Sequence, residues 1–305
     1  MRAVAVIGRA NEEPCRLLIQ ALLQQHIPVL VLDQLARPRA PTHWGLATDG
    51  SLVGHTVLDG VQHALQDLAG LYLRPADDRR LGLPDAAAEQ AAQGWTQAWV
   101  EIAELARCRV ANRVSAMASN GSKPLQSQCL AALGFAVPPM LQSNDPEAVL
   151  AFEAQHGALI YKSASGVRSI VCTLDDAARQ RLSAVRHTPT LFQKRLCGTN
   201  VRVHVVGCEV FATEIDSDVL DYRYAGHQGG HTELRATQLP ADTEALCLRA
   251  ARHLGLAFAG LDLMLADDGL TYCFEANPSP GYSYYENATG QPIAAALARH
   301  LAGRD

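Results

Sequence analysis

Three oxygen-bearing side chains near the end of the chain have types and spacing that could hold a hard cation. Asp262 lies in one apolar segment (G-L-D-L-M-L), and Glu275 and Asn277 close the next (T-Y-C-F-E-A-N). Between the two segments, Asp267-Asp268-Gly269 is a strong hairpin signal. Residues two apart on a strand share a face, so Glu275 and Asn277 point the same way and Asp262 can sit across from them. Oxygen donors with no Cys or His among them suit Mg²⁺. Mg²⁺ rarely sits in an all-protein cage and usually arrives with a phosphate, which directs attention upstream to a nucleotide site. An ordinary hairpin with a polar end would carry the same residues, and spacing alone does not choose between the two.

The elements that must position these residues come from a chain of 305 residues, long enough for two domains or three small lobes. A net charge of −5 gives no basic footprint for nucleic acid. None of the eight cysteines forms a C-x-x-C pair and several lie in apolar runs, which suits reduced thiols in a cytoplasmic protein. The opening residues turn polar too soon for a signal peptide, and no run approaches the roughly 18 apolar residues of a membrane span.

Residues 3–8 read as a buried parallel strand, with a helix at about 12–25 and a second strand at 29–32. This βαβ opening is that of an α/β fold. The turn Gly8-Arg9-Ala10-Asn11 lacks G-x-G-x-x-G, which makes a dehydrogenase a poor fit. Residues 37–54 read as loop with at most a short strand, 61–68 as helix, 70–75 as a strand ending in Arg74, and 86–106 as a long helix closing a first lobe. Arg74 suits a surface ion pair better than a substrate contact.

Residues 110–126 form a polar link. Ser122 can cap a helix whose first turn holds Pro124, and Lys123 there opposes the macrodipole unless it meets an anion. A strand ending in Lys162, a Ser/Gly loop at 163–169 and a second strand at 170–172 make a hairpin whose amides could cover phosphates. Strands follow at 191–196 and 201–206; on the latter Arg202 and His204 share one face, and Val201, Val203 and Val205 the other. The sheet continues at 209–215, then a polar loop at 216–230 carries Asp218, Asp221, Arg223 and His227, with His231 just beyond. Helices at 246–254 and 292–301 flank the Asp262–Asn277 hairpin.

Taken in order, several pieces together resemble the ATP-grasp superfamily in its RimK-like branch, over roughly residues 110–301. They are Lys123 and Lys162, F-Q-K-R-L followed by R-V-H-V-V-G, F-A-G-L-D-L, C-F-E-A-N-P-S-P-G, and Glu286 before T-G-Q-P-I-A. The resemblance implies an α/β (α+β) ATP-grasp fold. Its N-terminal βαβ lobe would span 1–107, a central lobe with a lid loop 108–190, and a C-terminal lobe with the Mg²⁺ site 191–305. ATP would lie between two antiparallel sheets. Lys123 and Lys162 would hold its phosphates, with Ser165 and Gly166 in the covering loop. Gln193, Lys194 and Leu196 would meet the adenine, and Asn200 would lie on the ribose side. Asp262, Glu275 and Asn277 would bind Mg²⁺, one ion or two, with Mn²⁺ able to substitute. Arg202 and Arg223 would face the γ-phosphate and the acyl intermediate. Two departures touch the ribose side: Q-K-R-L where relatives often carry an acid after the Gln, and Asn200 where many carry Asp.

The implied activity is that of an ADP-forming carboxylate–amine ligase working through an acylphosphate. His204, His227, His231, Glu214 and Asp216 are the candidate bases for the attacking amine. The expected substrates are an amino acid, a short peptide or a related small acid. A ribosomal peptide or protein terminus, or a kinase-like phosphotransfer, are the alternatives. A regulatory nucleotide-binding module fits less well, because the set Lys123, Lys162, Arg202, Asp262, Glu275 and Asn277 is intact. Small-molecule or peptide partners are expected, with neither nucleic acid nor membrane, and a homo-oligomer only because relatives often form one.

Overall fold

A computed structural model describes residues 2–36, 39–77, 82–163, 171–217 and 231–305. The chain opens with β1 (Val4–Gly8), α1 (Glu13–Gln24) and β2 (Val29–Asp33). A small antiparallel sheet follows, built from β3 (Thr42–Leu46), β4 (Leu52–Leu58) and β5 (Val61–Ala64), and then β6 (Gly70–Arg74), α2 (Ala86–Leu105) and β7 (Arg109–Ala111). The first lobe is a parallel sheet in the order β2-β1-β6-β7. All five residues of β1 are buried, as a central parallel strand requires. Val4 and Val6 pack against Leu18 and Leu22 of α1, and Ala5 and Ile7 pack against Trp99 and Ile102 of α2.

Two expectations fail in this lobe. Residues 61–68 are a strand and a short 3₁₀ turn (Leu65–Asp67), not a helix, and residues 39–54 hold one strand and the start of its partner, where loop with at most one short strand was expected. The cause of the first is the Asp59-Gly60 pair, whose positive φ values of 51° and 77° form a tight hairpin turn joining Leu58 to its partner Val61. A D-G pair is among the strongest short-range hairpin signals and outweighs local helix propensity.

A 3₁₀ turn at Ser115–Gly121 leads into α3 (Lys123–Ala132), whose Ser122 Oγ accepts from the Leu125 amide as expected of a cap. The central sheet follows: β8 (Met140–Ser143), α4 (Pro146–His156), β9 (Leu159–Ser163), β10 (Cys172–Thr173), α5 (Asp176–Gln180) and β11 (Thr190–Lys194). Its order is β10-β9-β11-β8, all antiparallel. β11 begins at the expected lobe boundary of 190/191 but pairs with β8 and β9, so it belongs with the central sheet.

The last lobe holds β12 (Gly198–Val206), β13 (Glu209–Ser217), β14 (Thr232–Thr237), α6 (Ala241–His253), β15 (Phe258–Ala266), β16 (Thr271–Asn277), α7 (Ser283–Thr289) and α8 (Ile293–Ala302). Its antiparallel sheet runs β14-β13-β12-β15-β16. Val201, Val203, Val205, Leu261 and Leu263 bury one face against Ala250 and Ala251 of α6 and Leu130 of α3. The end of the other face joins the first lobe: Val206 and Phe258 share a core with α1 and with Leu297 and Leu301 of α8. Among the described residues no helix is long and apolar enough to cross a membrane.

Candidate active site

The register of β12, β15 and β16 sets the site. Arg202, Asp262 and Glu275 are successive cross-strand partners, and the next row is His204, Gly260 and Asn277. Both rows face away from the Val203–Leu261 core. A register shift after Asp262 leaves Phe274 as an extra residue in β16. Simple alternation would put Cys273 on the same side as Glu275; the bulge turns Cys273 into the core and leaves Glu275 in the site. Burial holds the Cys273 thiol well above its ordinary pKa, so it stays protonated and inert.

Each acid meets one cation. Arg202, 5% exposed, donates Nη1 to Asp262 Oδ1 at 2.6 Å, and its guanidinium lies 5.7 Å from the centre of the Tyr285 ring. Gly260 makes room for it: a Cβ there would stand 2.2 Å from Arg202 Nη2 and 2.7 Å from Cζ. Lys123 Nζ donates to Glu275 Oε1 and, at 3.3 Å, to Asn120 Oδ1. Glu275 is thus the anion that the helix-start lysine called for. Among the described residues, Asp262 Oδ2 and Glu275 Oε2 have no protein partner. Asn277 Oδ1 accepts from the Ser279 amide at 2.9 Å. No cluster of three His, Cys, Asp or Glu side chains forms among the described residues, so the donor set is this acid pair with Asn277.

Three more side chains hold the strand end that carries Glu275 and Asn277. Gln126 bonds the backbone of Ala276, Asn112 the carbonyl of Pro278, and Arg74 the Ser279–Pro280 turn. Arg74 also pairs with Glu12 at 3.2 Å, with its own side chain largely buried instead of lying on the surface. Buried backbone partners of this kind have no periodic signature, so nothing in the sequence marks Gln126 or Asn112.

The other expected nucleotide contacts lie on or beside the central sheet. Lys162 and Gln193 share the face of that sheet turned away from its Val149–Phe192 core. The Lys194 amide donates to Pro139 O at 3.0 Å, and Leu196 is half-buried in the segment leading to β12. Asn200 is two residues from Arg202 on β12, on the same face. Ser165, Gly166 and Arg223 lie outside the described residues, as do Asp218, Asp221, His227 and nearly all of the expected lid loop.

A family model described as the RimK-like ATP-grasp domain matches residues 126–301. The chain belongs to the RimK-like ATP-grasp family. It is 30% identical to a probable alpha-L-glutamate ligase of Mannheimia succiniciproducens over 200 residues, 62% of this chain and 66% of the relative. It is 32% identical over 192 residues to a probable alpha-L-glutamate ligase of Histophilus somni, 59% of this chain and 62% of the relative. The chain thus spans a little under two thirds of the length of these curated relatives. A solved structure of the ATP-grasp ligase PsnB, complexed with a phosphomimetic variant of minimal precursor, Mg and ADP, matches with TM-score 0.79 and 26% identity, covering 100% of this chain and 99% of that one. A Chryseobacterium gregarium RiPP-associated ATP-grasp ligase, in complex with ADP and a leader and core peptide, matches with TM-score 0.80 over 100% and 98% of the two chains. Its identity of 19% bears on the fold alone.

In this RimK-like chain three of the candidate bases are misplaced for the work. His204 is fully buried, neither ring nitrogen has a partner among the described residues, and its ring packs edge-on to Tyr285 at 5.0 Å. Burial and the neighbouring Arg202 hold its pKa well below the ordinary value, so it is neutral and sealed from solvent. Glu214 is the cross-strand partner of Val201 and therefore lies on the face opposite Arg202, with Asp216 two residues on. Both pair with Arg235, at 3.6 and 3.3 Å. Exposed His231 stands at the start of β14. Glu286, noted in the family motif, has a structural use: its Oε2 accepts from the Ala294 amide at 2.8 Å and caps α8.

Proposed function

We propose that this chain is an ATP-dependent carboxylate–amine ligase of the cytoplasm. A substrate carboxylate attacks the γ-phosphorus of ATP, giving an acylphosphate and ADP. An amine nitrogen then attacks the acyl carbon, giving an amide and phosphate. The observation that carries this reading is the Arg202–Asp262–Glu275 row with Lys123 reaching Glu275. It sets two cations and two carboxylates at one place, as phosphoryl transfer needs charge placed in advance. The donor set fits Mg²⁺: two carboxylate oxygens on neighbouring strands, each without a protein partner among the described residues, and the Asn277 amide beside them. Asp262, Glu275 and Asn277 would hold the ion, which when bound neutralises charge on the phosphoryl group being transferred.

Lys123 and Arg202 hold the acids in place, and in this reading both cations face phosphate oxygens. Lys162 and Gln193 offer a second polar face on the central sheet. The eight free thiols support a reducing compartment.

The substrates in this reading are an amino acid, a short peptide or a related small acid. The likeness to PsnB, solved with a minimal precursor, supports a second form of the same reading: a ribosomal peptide as substrate.

The test incubates the protein with ATP, Mg²⁺ and pools of amino acids and peptides, following ADP and phosphate, with mass spectrometry of the products. ADP release that needs both an acid and an amine, with a new mass equal to their sum less water and none with Glu275→Ala, is the expected result. A product heavier by one phosphoryl group and stable to hydroxylamine would replace the ligase with a kinase.

A further inference from the structure

The strand that carries Glu275 and Asn277 is an edge strand. Among the described residues β16 ends the C-terminal sheet and has only β15 beside it as a strand. Its open edge is covered by isolated groups instead of another strand. Ala136 donates to Thr271 O and accepts from the Cys273 amide. Further along, Gln126 Oε1 accepts from the Ala276 amide at 3.0 Å and its Nε2 donates to Ala276 O at 2.9 Å. Beyond that, Asn112 Nδ2 donates to Pro278 O and to Phe258 O, each at 2.5 Å, and its Oδ1 accepts from the Phe258 amide at 3.1 Å. Gln126 and Asn112 are 1% and 2% exposed.

The points of contact matter more than their number. The Ala276 N–H belongs to the peptide plane joining residues 275 and 276, and the Ala276 carbonyl to the plane joining 276 and 277. One amide side chain that grips both groups fixes both planes, and with them the directions in which the side chains of Glu275 and Asn277 leave the backbone. Asn112, at the Pro278 carbonyl, fixes the plane joining residues 278 and 279, two further along. Gln126 also lies one helical turn from Lys123, whose Nζ holds the Glu275 carboxylate. A single turn of α3 therefore sets Glu275 twice, at its backbone and at its charge.

We propose that Gln126, supported by Asn112, is a positioning residue that orients Glu275 and Asn277 toward a divalent cation. The proposal rests on the metal reading of the site given above. Groups that orient the ligands of a metal typically weaken its affinity about 10- to 100-fold when removed.

The test is Gln126→Met, of similar length and with neither hydrogen bond. Mn²⁺ binding in the presence of ADP is followed by electron paramagnetic resonance, ADP binding without metal by calorimetry, and amide exchange by mass spectrometry. The expected result is Mn²⁺ affinity lower by about tenfold or more. ADP affinity without metal stays unchanged, and exchange quickens over residues 271–282 of the unliganded protein. A purely structural role would lower the melting temperature and leave Mn²⁺ affinity within about threefold, and that result overturns the proposal. Gln126→Glu keeps an acceptor for the Ala276 amide and loses the donor; it should fall between the two, and it decides the matter should the Met variant not fold. If the unsubstituted chain itself binds no Mn²⁺, the metal reading fails and this proposal falls with it. If it binds Mn²⁺ and both variants match it, the proposal alone falls.

Discussion

The C-terminal and central sheets are each candidates for one wall of the same cleft, and they are held very differently. β12, β13 and β15 run nine residues each, whereas among the described residues no strand of the central sheet exceeds five. Among the described residues, the core behind the first takes fifteen buried residues from the sheet, α3, α6 and their flanking turns; that behind the second takes six. In the C-terminal wall Arg202, Asp262, Glu275 and Lys123 already pair with one another, and the strand end is bonded along its open edge. The central wall offers Lys162 and Gln193 on a face turned away from a thin core. Local stability follows buried contacts. The wall that fixes charge is thus built to stay in place, and the wall that would close on a nucleotide is the less stable one.

The comparison breaks most directly at the acids. Glu275→Ala or Asp262→Ala should lower ATP turnover by about a thousandfold, while the far-ultraviolet spectrum stays native. Retained turnover would mean that the C-terminal wall does not hold the charge. Phe192, 1% exposed, is the largest side chain of the central core; Phe192→Ala should cost about 3 kcal/mol. Amide exchange would quicken over residues 140–194 and stay slow over 258–277; equal loosening of both sheets would dissolve the distinction.

Gly260→Ala sharpens it from the other side. The added Cβ meets the Arg202 guanidinium, so a loss of about 2 kcal/mol is expected, together with a fall in turnover that Val203→Ala does not share. The smallest effect is on acid stability. Asp305 pairs with Arg109 and, at 2.6 Å, with His300 Nδ1, and these bonds hold its pKa at about 2, from 3.8. A depressed carboxylate stabilises the fold above its unfolded value, and that stability is lost as pH falls from about 4 toward 2. Asp305→Asn should remove about 1 kcal/mol of pH-dependent stability in thermal melts, after allowance for solvent screening. The central sheet should not feel it.

The acids and the arginine were legible because they lie on strands with clean alternation, so face and neighbour follow from spacing. The helix cap at Ser122 was legible because capping is local. The N-terminal hairpin was not, although its D-G turn was in view, because residues 61–68 carry enough helix-compatible residues to suggest the wrong period. Cys273 illustrates a second limit: its side of β16 depends on a bulge that only strand pairing reveals. Gln126 and Asn112 show a third, since a side chain bonded to backbone some 150 positions away leaves no trace in its own neighbourhood. His204, Glu214 and Asp216 were plausible bases by type, and burial or register removes each of them.

The chain enters the central sheet just after Pro139 and leaves it after Lys194, and those two points touch: the Lys194 amide donates to Pro139 O. The first and last lobes, meanwhile, share one core through α1 and α8. In topological terms the central lobe is an excursion whose entrance and exit coincide. Residues could be added to or trimmed from its outer loops over generations without either neighbour registering a change in distance. A family could then vary what it clasps while inheriting the place where charge is held.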